Sequence, residues 1–145
     1  MMVKIKKLRK DAIIPKYASE QSAGLDLYAN SEEDISIPPF HTVKIPTGVA
    51  IELEDNTVGL IYARSGLATN RDLAPANKVG VVDSDYRGEI IVALHNHGEI
   101  PQKVVKNERI AQLVITPIIH VELEEVDELS QTKRNSGGFG STGEK

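Results

Sequence analysis

The stretch Asn77–Glu89, which reads NKVGVVDSDYRGE, places a carboxylate, an amide and an aromatic ring within a few residues of one another. An apolar run, a turn at Asp83 and a second apolar run predict a β-hairpin. Asp83 could accept a proton from water, with the ring of Tyr86 beside it. Gly80 and Gly88 would let a flat ligand lie against the backbone. The same residue types are also typical of an ordinary solvated turn.

A second candidate site lies in ARSGLA, Ala63–Ala68, where a predicted strand ends and a short helix begins. Free N–H groups and the positive end of the helix dipole meet at such a junction. Arg64 adds a planar donor fork and Ser65 a hydroxyl, so the stretch could bind phosphate. The alternative is that Ser65 caps the helix and Arg64 is a surface charge. No His in the local sequence is placed to activate Ser65 as a nucleophile.

Asp26 lies in AGLDLYA, with Leu25 and Leu27 on the opposite face of a predicted strand. Magnesium keeps most of its waters and takes further oxygens from the phosphates of a ligand. One carboxylate could therefore hold Mg²⁺ through a water molecule. The alternative is that Asp26 is an ordinary exposed strand residue.

The C-terminal stretch becomes polar and Gly-rich from about Ser130, a composition typical of a flexible tail. Phe139 does not fit a tail that buries nothing, and a nucleobase is the kind of flat partner it could stack on. Arg134, Ser141 and Thr142 could donate to a terminal phosphate. The tail is therefore predicted to be a lid over a nucleotide.

The elements that would position these residues are short strands separated by turn signals, a pattern that predicts an all-β sandwich or jelly roll. One or two helical turns are expected at Ser65–Arg71, and the absence of longer amphipathic helices disfavours a βαβ fold. The run Leu113–Ile119 is apolar on both alternations, which suggests burial in the sandwich or against another subunit. The predicted strands are Lys4–Leu8, Leu25–Tyr28, Ile35–Ile37, Thr42–Leu53, Thr57–Ala63, Val79–Val82, Glu89–His95, Gln102–Val105, Ile110–Pro117 and Val121–Val126.

Length and composition bound the class of protein. A chain of 145 residues is expected to form one domain, with a core of Val, Ile, Leu and Ala because aromatics are only 4% and Trp is absent. A formal net charge of -4 disfavours nucleic acid as a partner. The absence of Cys excludes disulfides and thiol catalysis. Because no signal peptide or membrane span is evident, we expect a soluble, cytoplasmic protein without a membrane partner.

Two other features have ordinary explanations. The basic residues of the N-terminal stretch alternate with apolar ones, which favours a strand with a charged outer face over a nucleic-acid-binding arm. His95 and His97 would share a strand face and could hold a metal, but no third ligand is evident. A solvated or hydrogen-bonded pair is the favoured interpretation.

Five stretches together resemble the motifs of the trimeric dUTP pyrophosphatases, the dUTPases, and the resemblance covers Ala23 to Gly143. It implies a dUTPase-like jelly roll or distorted β-barrel sandwich with one short helix, and a homotrimer with shared active sites. Residues 1–129 would form the catalytic domain, and residues 130–145 a lid that completes a site on a neighbouring subunit. In order, the stretches are AGLDLYA, ARSGLA, NKVGVVDSDYRGE, NERIAQLV and RNSGGFGSTG.

The resemblance also implies an activity. The chain would hydrolyse dUTP to dUMP and pyrophosphate by magnesium-assisted, in-line attack of water on the α-phosphorus, keeping uracil out of DNA and supplying dUMP for thymidylate synthesis. Asp83 would take the proton from the water, Gln112 would point its amide toward the water and the phosphates, and Asp26 would hold Mg²⁺ through water. The expected substrate-binding residues are Arg64, Ser65, Gly66, Asn77, Val81, Val82, Asp83, Tyr86, Gln112, Arg134, Phe139, Gly140, Ser141 and Thr142.

Three discriminations would come from the stretch around Asp83. Asn77 and the backbone of Val81–Asp83 would read uracil, since cytosine would leave a buried donor unpaired at a cost of roughly 1 to 3 kcal/mol. Close backbone approach would exclude the methyl group of thymine, and the ring of Tyr86 against the deoxyribose would exclude a ribose hydroxyl.

The chain departs from the family pattern at a few positions. Ala63 replaces the usual Pro, and Asn107 replaces a usual Gly, where Asn can still adopt a left-handed turn. Asn135 and Ser136 also differ from the usual pattern. Arg109 is expected to form an ion pair that holds its turn.

Two other functions stay open at this point. The related dCTP deaminases share the fold, although their chains tend to be longer and lack the Phe-containing, Gly-rich end. The other is a dUTP-binding regulator or trimeric interaction module without activity.

Overall fold

The computed structural model describes residues 2–138, which form β-strands and one short helix. The helix, α1, spans Ser65–Asn70. The strands are β1 Lys4–Lys7, β2 Lys16–Tyr17, β3 Leu25–Tyr28, β4 Ile35–Ile37, β5 Thr42–Pro46, β6 Val49–Glu52, β7 Thr57–Tyr62, β8 Leu73–Pro75, β9 Gly80–Val82, β10 Ile91–Asn96, β11 Gln102–Val104 and β12 Arg109–Pro117.

The strands form antiparallel sheets around a common core. The largest sheet has the order β2-β3-β12-β7-β9, and a second sheet has the order β5-β10-β8. Two further pairs, β1-β6 and β4-β11, complete the arrangement. The predicted all-β fold of the jelly-roll type is confirmed.

The core is aliphatic, as the composition predicts. One apolar cluster contains residues from every sheet. Among its members, at most 1% of the surface is exposed for Leu27, Ile45, Leu94 and Leu113. Truncating such a side chain to Ala would cost about 2 to 5 kcal/mol. This cluster fixes the strands whose ends carry the candidate site residues.

Two predicted strands, Leu25–Tyr28 and Ile35–Ile37, have the observed bounds, and most others differ by one or two residues at an end. The predicted strand Thr42–Leu53 is divided into β5 and β6 by a bend. Gly48 adopts a φ of 71° there, which favours glycine. The hydroxyl of Thr47 donates to the carbonyl of Ile90 at 2.6 Å, which satisfies a buried polar group at the bend.

The predicted strand Val121–Val126 is wrong. Its apolar residues alternate as in a strand, but it pairs with no other strand of residues 2–138, and Leu123 is 94% exposed. The short strands β2 and β8 were not predicted, because neither has an apolar alternation of its own.

The predicted β-hairpin around Asp83 is also wrong. Strand β9 pairs with β7, where Gly80 lies opposite Ile61, whereas β10 pairs with β5 and β8. The chain reverses at Asp83 as expected, but it crosses from the five-stranded sheet to the three-stranded one. Turn residues predict a reversal, and they do not identify the partner of either strand.

Candidate active site

A row of polar side chains crosses the outer face of the five-stranded sheet. Gln112 of β12 lies opposite Asp26 of β3 on one side and Tyr62 of β7 on the other. Residues paired across neighbouring strands point to the same face, so these three side chains meet. They line a cleft of about 470 Å³, called here the Asp26 cleft. Its other lining residues are Ala18, Ser22, Ala23, Gly24, Arg64, Ser65, Gly66 and Val114.

Asp26 is buried, with 6% of its surface exposed, which corrects the view of it as an exposed strand residue. Its Oδ1 accepts a hydrogen bond from Nε of Arg64 at 3.0 Å, and its Oδ2 accepts one from Nη1 of Arg109 at 3.2 Å. A buried carboxylate needs such partners, and two arginines against one carboxylate leave a net positive charge beside the cleft. The predicted ion pair of Arg109 is confirmed, and its partner is Asp26.

Arg64 is the N-cap residue of α1, and its side chain makes no cap hydrogen bond. The interpretation of Ser65 as the helix cap is therefore wrong, because Ser65 is already the first helical residue. The first hydrogen bond of the helix runs from the N–H of Ala68 to the carbonyl of Arg64 at 3.0 Å. The preceding N–H groups, including those of Ser65 and Gly66, have no partner within the helix. An added Cβ on Gly66 would meet no atom within 4 Å, so the helix start faces open space.

Gln112 is held by its own amide. Its Nε2 donates to the carbonyl of Ala63 at 2.8 Å. An added Cβ on Gly24 would lie 2.8 Å from Oε1 of Gln112, so the glycine leaves room for that oxygen. The amide of Gln112 is thus oriented before any ligand binds.

Asn107, which precedes β12, has a φ of 64°, and this value confirms the predicted left-handed turn.

A second cleft, of about 200 Å³, lies along β9 and the turn that follows it and is called here the Asp83 cleft. Asp83 and Asn77 are exposed there, and an added Cβ on Gly80 would lie 3.4 Å from Nδ2 of Asn77. The amide of Asn77 therefore lies beside Gly80, on the strand that lines the cleft. The cleft is lined by Ile61, Asn77, Gly80, Val81, Val82, Asp83, Tyr86, Glu89, Ile90 and Ile91.

Hydrogen bonds hold the turn that carries Asp83. The N–H of Tyr86 donates to the carbonyl of Asp83 at 3.1 Å, and the hydroxyl of Tyr86 donates to the carbonyl of Glu89 at 3.0 Å. Nη1 of Arg87 donates to the carbonyls of Ser84 and Tyr86 at 2.6 and 3.1 Å. The turn is thus fixed by its own residues, which a solvated turn of the same composition need not be.

The two clefts share no lining residue. Within one chain, the predicted residues Asp26, Arg64, Ser65, Gly66 and Gln112 are brought together, and so are the predicted residues between Asn77 and Tyr86. The two groups line separate surfaces.

Of the predicted lid, the structure describes only the beginning. Arg134 is exposed, and its Nε donates to the carbonyl of Gly137 at 2.7 Å. Asn135 has a φ of 42°. Phe139, Gly140, Ser141 and Thr142 lie outside the described residues.

Two residues near the site, Tyr62 and Arg71, were not predicted from the sequence. Tyr62 lines the Asp26 cleft. It lies two residues before Arg64, near the end of the predicted strand Thr57–Ala63, and this spacing favours one shared face. Arg71, just after α1, pairs with Glu108 and donates through Nε to Gln102 at 3.2 Å. No local pattern indicates that this arginine connects the helix to the loop before β12.

The alternative sites have ordinary structures. Nδ1 of His95 lies 2.9 Å from the hydroxyl of Thr42, and the rings of His95 and His97 meet edge to face with centroids 4.4 Å apart. Residues 2–138 contain no group of three His, Cys, Asp or Glu residues placed to hold a metal. The basic residues from Lys4 to Lys7 lie on β1, a strand paired with β6, as expected. Within residues 2–138, no helix is both long and apolar enough to cross a membrane.

Comparisons with known proteins point to one family. A family model described as dUTPase matches residues 10–143. The deoxyuridine 5'-triphosphate nucleotidohydrolase of Gloeothece citriformis is 53% identical over 143 residues, covering 99% of this chain and 97% of that protein. Its counterpart from Desulfitobacterium hafniense is 51% identical over 144 residues, covering 97% of this chain and 95% of that protein.

Solved structures show the same likeness. The dUTPase of Staphylococcus bacteriophage 80alpha with dUpNHpp superposes with a TM-score of 0.90 at 29% identity, covering 98% of each chain. A mutant dUTPase from phage phi11 of S. aureus, which coordinates a structural Mg(II) ion, gives a TM-score of 0.79 at 25% identity, covering 88% of this chain and 98% of that one.

Proposed function

The chain belongs to the dUTPase family and is a dUTP diphosphatase, and from this premise we propose that it acts by in-line attack of water on the α-phosphorus of dUTP. The products are dUMP and pyrophosphate. Such a reaction would keep uracil out of DNA and supply dUMP for thymidylate synthesis, and we place it in the cytoplasm. The observation that carries the mechanism is the Asp83 cleft, where an exposed carboxylate, an amide and an aromatic ring converge on a fixed turn.

The Asp83 cleft would read the base. The amide of Asn77 and the backbone of Val81–Asp83 would pair with the edge of uracil, because the amide lies beside Gly80 on the strand that lines the cleft. Cytosine would leave a backbone donor unpaired at a cost of roughly 1 to 3 kcal/mol. Thymine would bring its methyl group against the backbone.

Tyr86 would select the sugar. Tyr86 is 45% exposed and lines the cleft, and its hydroxyl is already bound to the carbonyl of Glu89. The hydroxyl is thus engaged with the protein, and the face of the ring is what it offers to a ligand. A ring packed on C2' of deoxyribose leaves no space for the hydroxyl of a ribose.

Asp83 would act as the general base. None of the ion pairs among residues 2–138 involves Asp83. No paired lysine or arginine therefore opposes the transfer of a proton from water to its carboxylate. Gln112 would orient the same water or a phosphate oxygen with the amide atoms that Ala63 does not use. No covalent intermediate is needed.

The Asp26 cleft would bind the triphosphate. Arg64 uses Nε for Asp26 and keeps further N–H donors in its planar fork, and Ser65 and Gly66 add their backbone N–H groups. The positive balance of Arg64, Arg109 and Asp26 attracts an anion to this surface. These residues would therefore hold the phosphates in line for the attack.

The donor set of the Asp26 cleft fits a magnesium ion held through water. Each carboxylate oxygen of Asp26 accepts one arginine N–H and keeps a second lone-pair site, which a water molecule can use. A single outer carboxylate suffices because Mg²⁺ retains most of its waters and binds phosphate oxygens. When bound, the ion would offset the charge of the leaving pyrophosphate.

A homotrimer with shared sites would bring the two clefts together. One chain holds the base-reading and phosphate-binding groups on separate surfaces, so a complete site needs the Asp83 cleft of one subunit beside the Asp26 cleft of another. Ile119 and Leu123 are 88% and 94% exposed, which supports contact of this segment with another chain. We propose a catalytic domain at 1–129 and a lid at 130–145, in which Arg134, Phe139, Gly140, Ser141 and Thr142 close over a site of a neighbour.

A substrate panel tests the proposed function. The protein is incubated with magnesium and dUTP, dCTP, dTTP or UTP, and pyrophosphate and ammonia are measured. We expect pyrophosphate from dUTP and little from the other nucleotides. Ammonia from dCTP would identify a deaminase, and binding of dUTP without either product would identify a non-enzymatic module.

A further inference from the structure

Glu89 connects the turn that carries Asp83 to a distant part of the chain. Its Oε1 accepts a hydrogen bond from Nη1 of Arg9 at 2.9 Å and another from the N–H of Gly48 at 2.8 Å. The side chain of Glu89 is 20% exposed, so these charge-assisted bonds are partly shielded from water. The carboxylate therefore fixes the end of the turn to the bend between β5 and β6.

The backbone of the same residue holds Tyr86. The carbonyl of Glu89 accepts the Tyr86 hydroxyl at 3.0 Å. Gly88 makes room for this contact, because an added Cβ would lie 2.3 Å from the Tyr86 oxygen. Glu89 is thus bonded to Arg9 and Gly48 through its side chain and to Tyr86 through its carbonyl, so those bonds help to fix the position of the tyrosine ring.

Arg9 is itself fixed on the opposite side. Its Nη1 also donates to Oδ1 of Asn30 at 3.1 Å, and Asn30 is 4% exposed. An added Cβ on Gly48 would lie 2.5 Å from that Oδ1, so the three groups are closely packed. Arg9 precedes the region 10–143 that the family model matches. It lines neither cleft.

We propose that Arg9 and Glu89 are positioning residues for the selection of deoxyribose over ribose. The proposal rests on the proposed role of Tyr86 against the sugar. A ring excludes a ribose hydroxyl only if it cannot retreat, and the bonds from Arg9 through Glu89 to the Tyr86 hydroxyl oppose that retreat. Weakening them admits UTP, whose 2'-hydroxyl pushes the ring back, while dUTP, which has no 2'-hydroxyl, is affected less.

The measurement is the ratio of kcat/KM for dUTP to kcat/KM for UTP. Arg9→Met removes the charge and keeps the side-chain length, and Tyr86→Phe keeps the ring and removes its bond to Glu89. We expect each to lower the ratio by roughly three- to thirtyfold, as coupled groups in one network do, mainly by raising kcat/KM for UTP. Arg9→Lys, which restores one donor, should recover part of the ratio.

A matched control is Lys103→Met, which removes an exposed ion pair with Asp34 remote from this turn. It should leave the ratio unchanged. If Arg9→Met fails to fold, Tyr86→Phe and Glu89→Gln carry the test. Parallel loss of activity on both nucleotides, with the ratio unchanged, would show a merely structural role and overturn the proposal.

Tyr86→Ala separates this proposal from the one on which it rests. If Tyr86→Ala leaves the ratio unchanged, the ring does not select the sugar and the proposed function of Tyr86 fails. If Tyr86→Ala lowers the ratio but Arg9→Met, Glu89→Gln and Tyr86→Phe do not, the ring selects the sugar without help from Arg9 and Glu89.

Discussion

Replacing Asp26 with Asn should destabilise the protein far more than a similar change at an exposed acid. The side chain of Asp26 is 9% exposed and accepts one hydrogen bond from Arg64 and one from Arg109. Asn offers one oxygen, and its NH₂ group would face the other arginine. One hydrogen bond is therefore lost, and the other keeps its arginine donor but no longer has a charged acceptor. At about 1.5 to 3 kcal/mol for a hydrogen bond to a charged group, the expected loss of unfolding free energy is about 2 to 4 kcal/mol.

The matched control is Asp34→Asn. Asp34 pairs with Lys103 at 2.5 Å, but these side chains are 44% and 65% exposed. An exposed pair contributes at most about 1 kcal/mol. For a chain of this size each kcal/mol corresponds to about 2 to 4 °C in Tm, so Asp26→Asn should lower Tm by roughly 4 to 16 °C and Asp34→Asn by a few degrees at most.

The assay is thermal unfolding at equal protein concentration, since association makes Tm depend on concentration. The dependence of dUTP turnover on magnesium concentration is measured in parallel. Asp26→Asn should raise the magnesium concentration needed for half-maximal rate, whereas Asp34→Asn should not. Equal Tm values for the two variants would refute the view that Asp26 balances two arginines beside the cleft.

Three further predictions concern the base, the tail and pH. Asp83→Asn keeps the shape of the turn and removes the base, so turnover should fall by roughly a hundred- to ten-thousandfold while dUTP binding by calorimetry stays near normal; unchanged turnover would remove Asp83 from this role. A chain ending before Arg134 should lose most activity yet keep its assembly by light scattering, and full activity would refute the lid. Loss of hydration and the neighbouring His95 lower the pKa of His97 from its usual 6.5. The unfolded chain then takes up the proton first as the pH falls, so this contribution to stability is present above about pH 6.5 and lost below it. His97→Asn should therefore show a smaller fall of Tm between pH 7.5 and 5.5, and an equal fall would contradict the assignment.

Local patterns predicted the elements that carry their own signals. The alternation around Asp26 gave the bounds of β3, and the junction at Arg64 and Ser65 gave the start of α1 at Ser65, with the end of the helix one residue off. Asn107 in a left-handed turn followed from its side-chain chemistry. The order of the five motifs identified the family, because no single motif is as specific as all of them in sequence.

Tertiary partners could not be predicted in the same way. A turn at Asp83 does not reveal that β9 pairs with β7 while β10 joins another sheet. The burial of Asp26 depends on Arg109, which is 83 residues away in sequence. The apolar alternation of Val121–Val126 is genuine, but a strand needs a partner, and residues 2–138 of one chain do not provide it.

The central claim is that one dUTP site combines the Asp83 cleft of one subunit with the Asp26 cleft of another. Asp83→Asn disables the first cleft and Gln112→Ala the second, so each homotrimer alone should be nearly inactive. After the two are unfolded together and refolded in equal amounts, each mixed trimer should combine two intact clefts at one of its three sites, which is about a quarter of all sites in the sample. Native mass spectrometry verifies that mixed trimers form. The account predicts recovery of about a quarter of the wild-type dUTP turnover, and mixed trimers with no more activity than the two parents would contradict it.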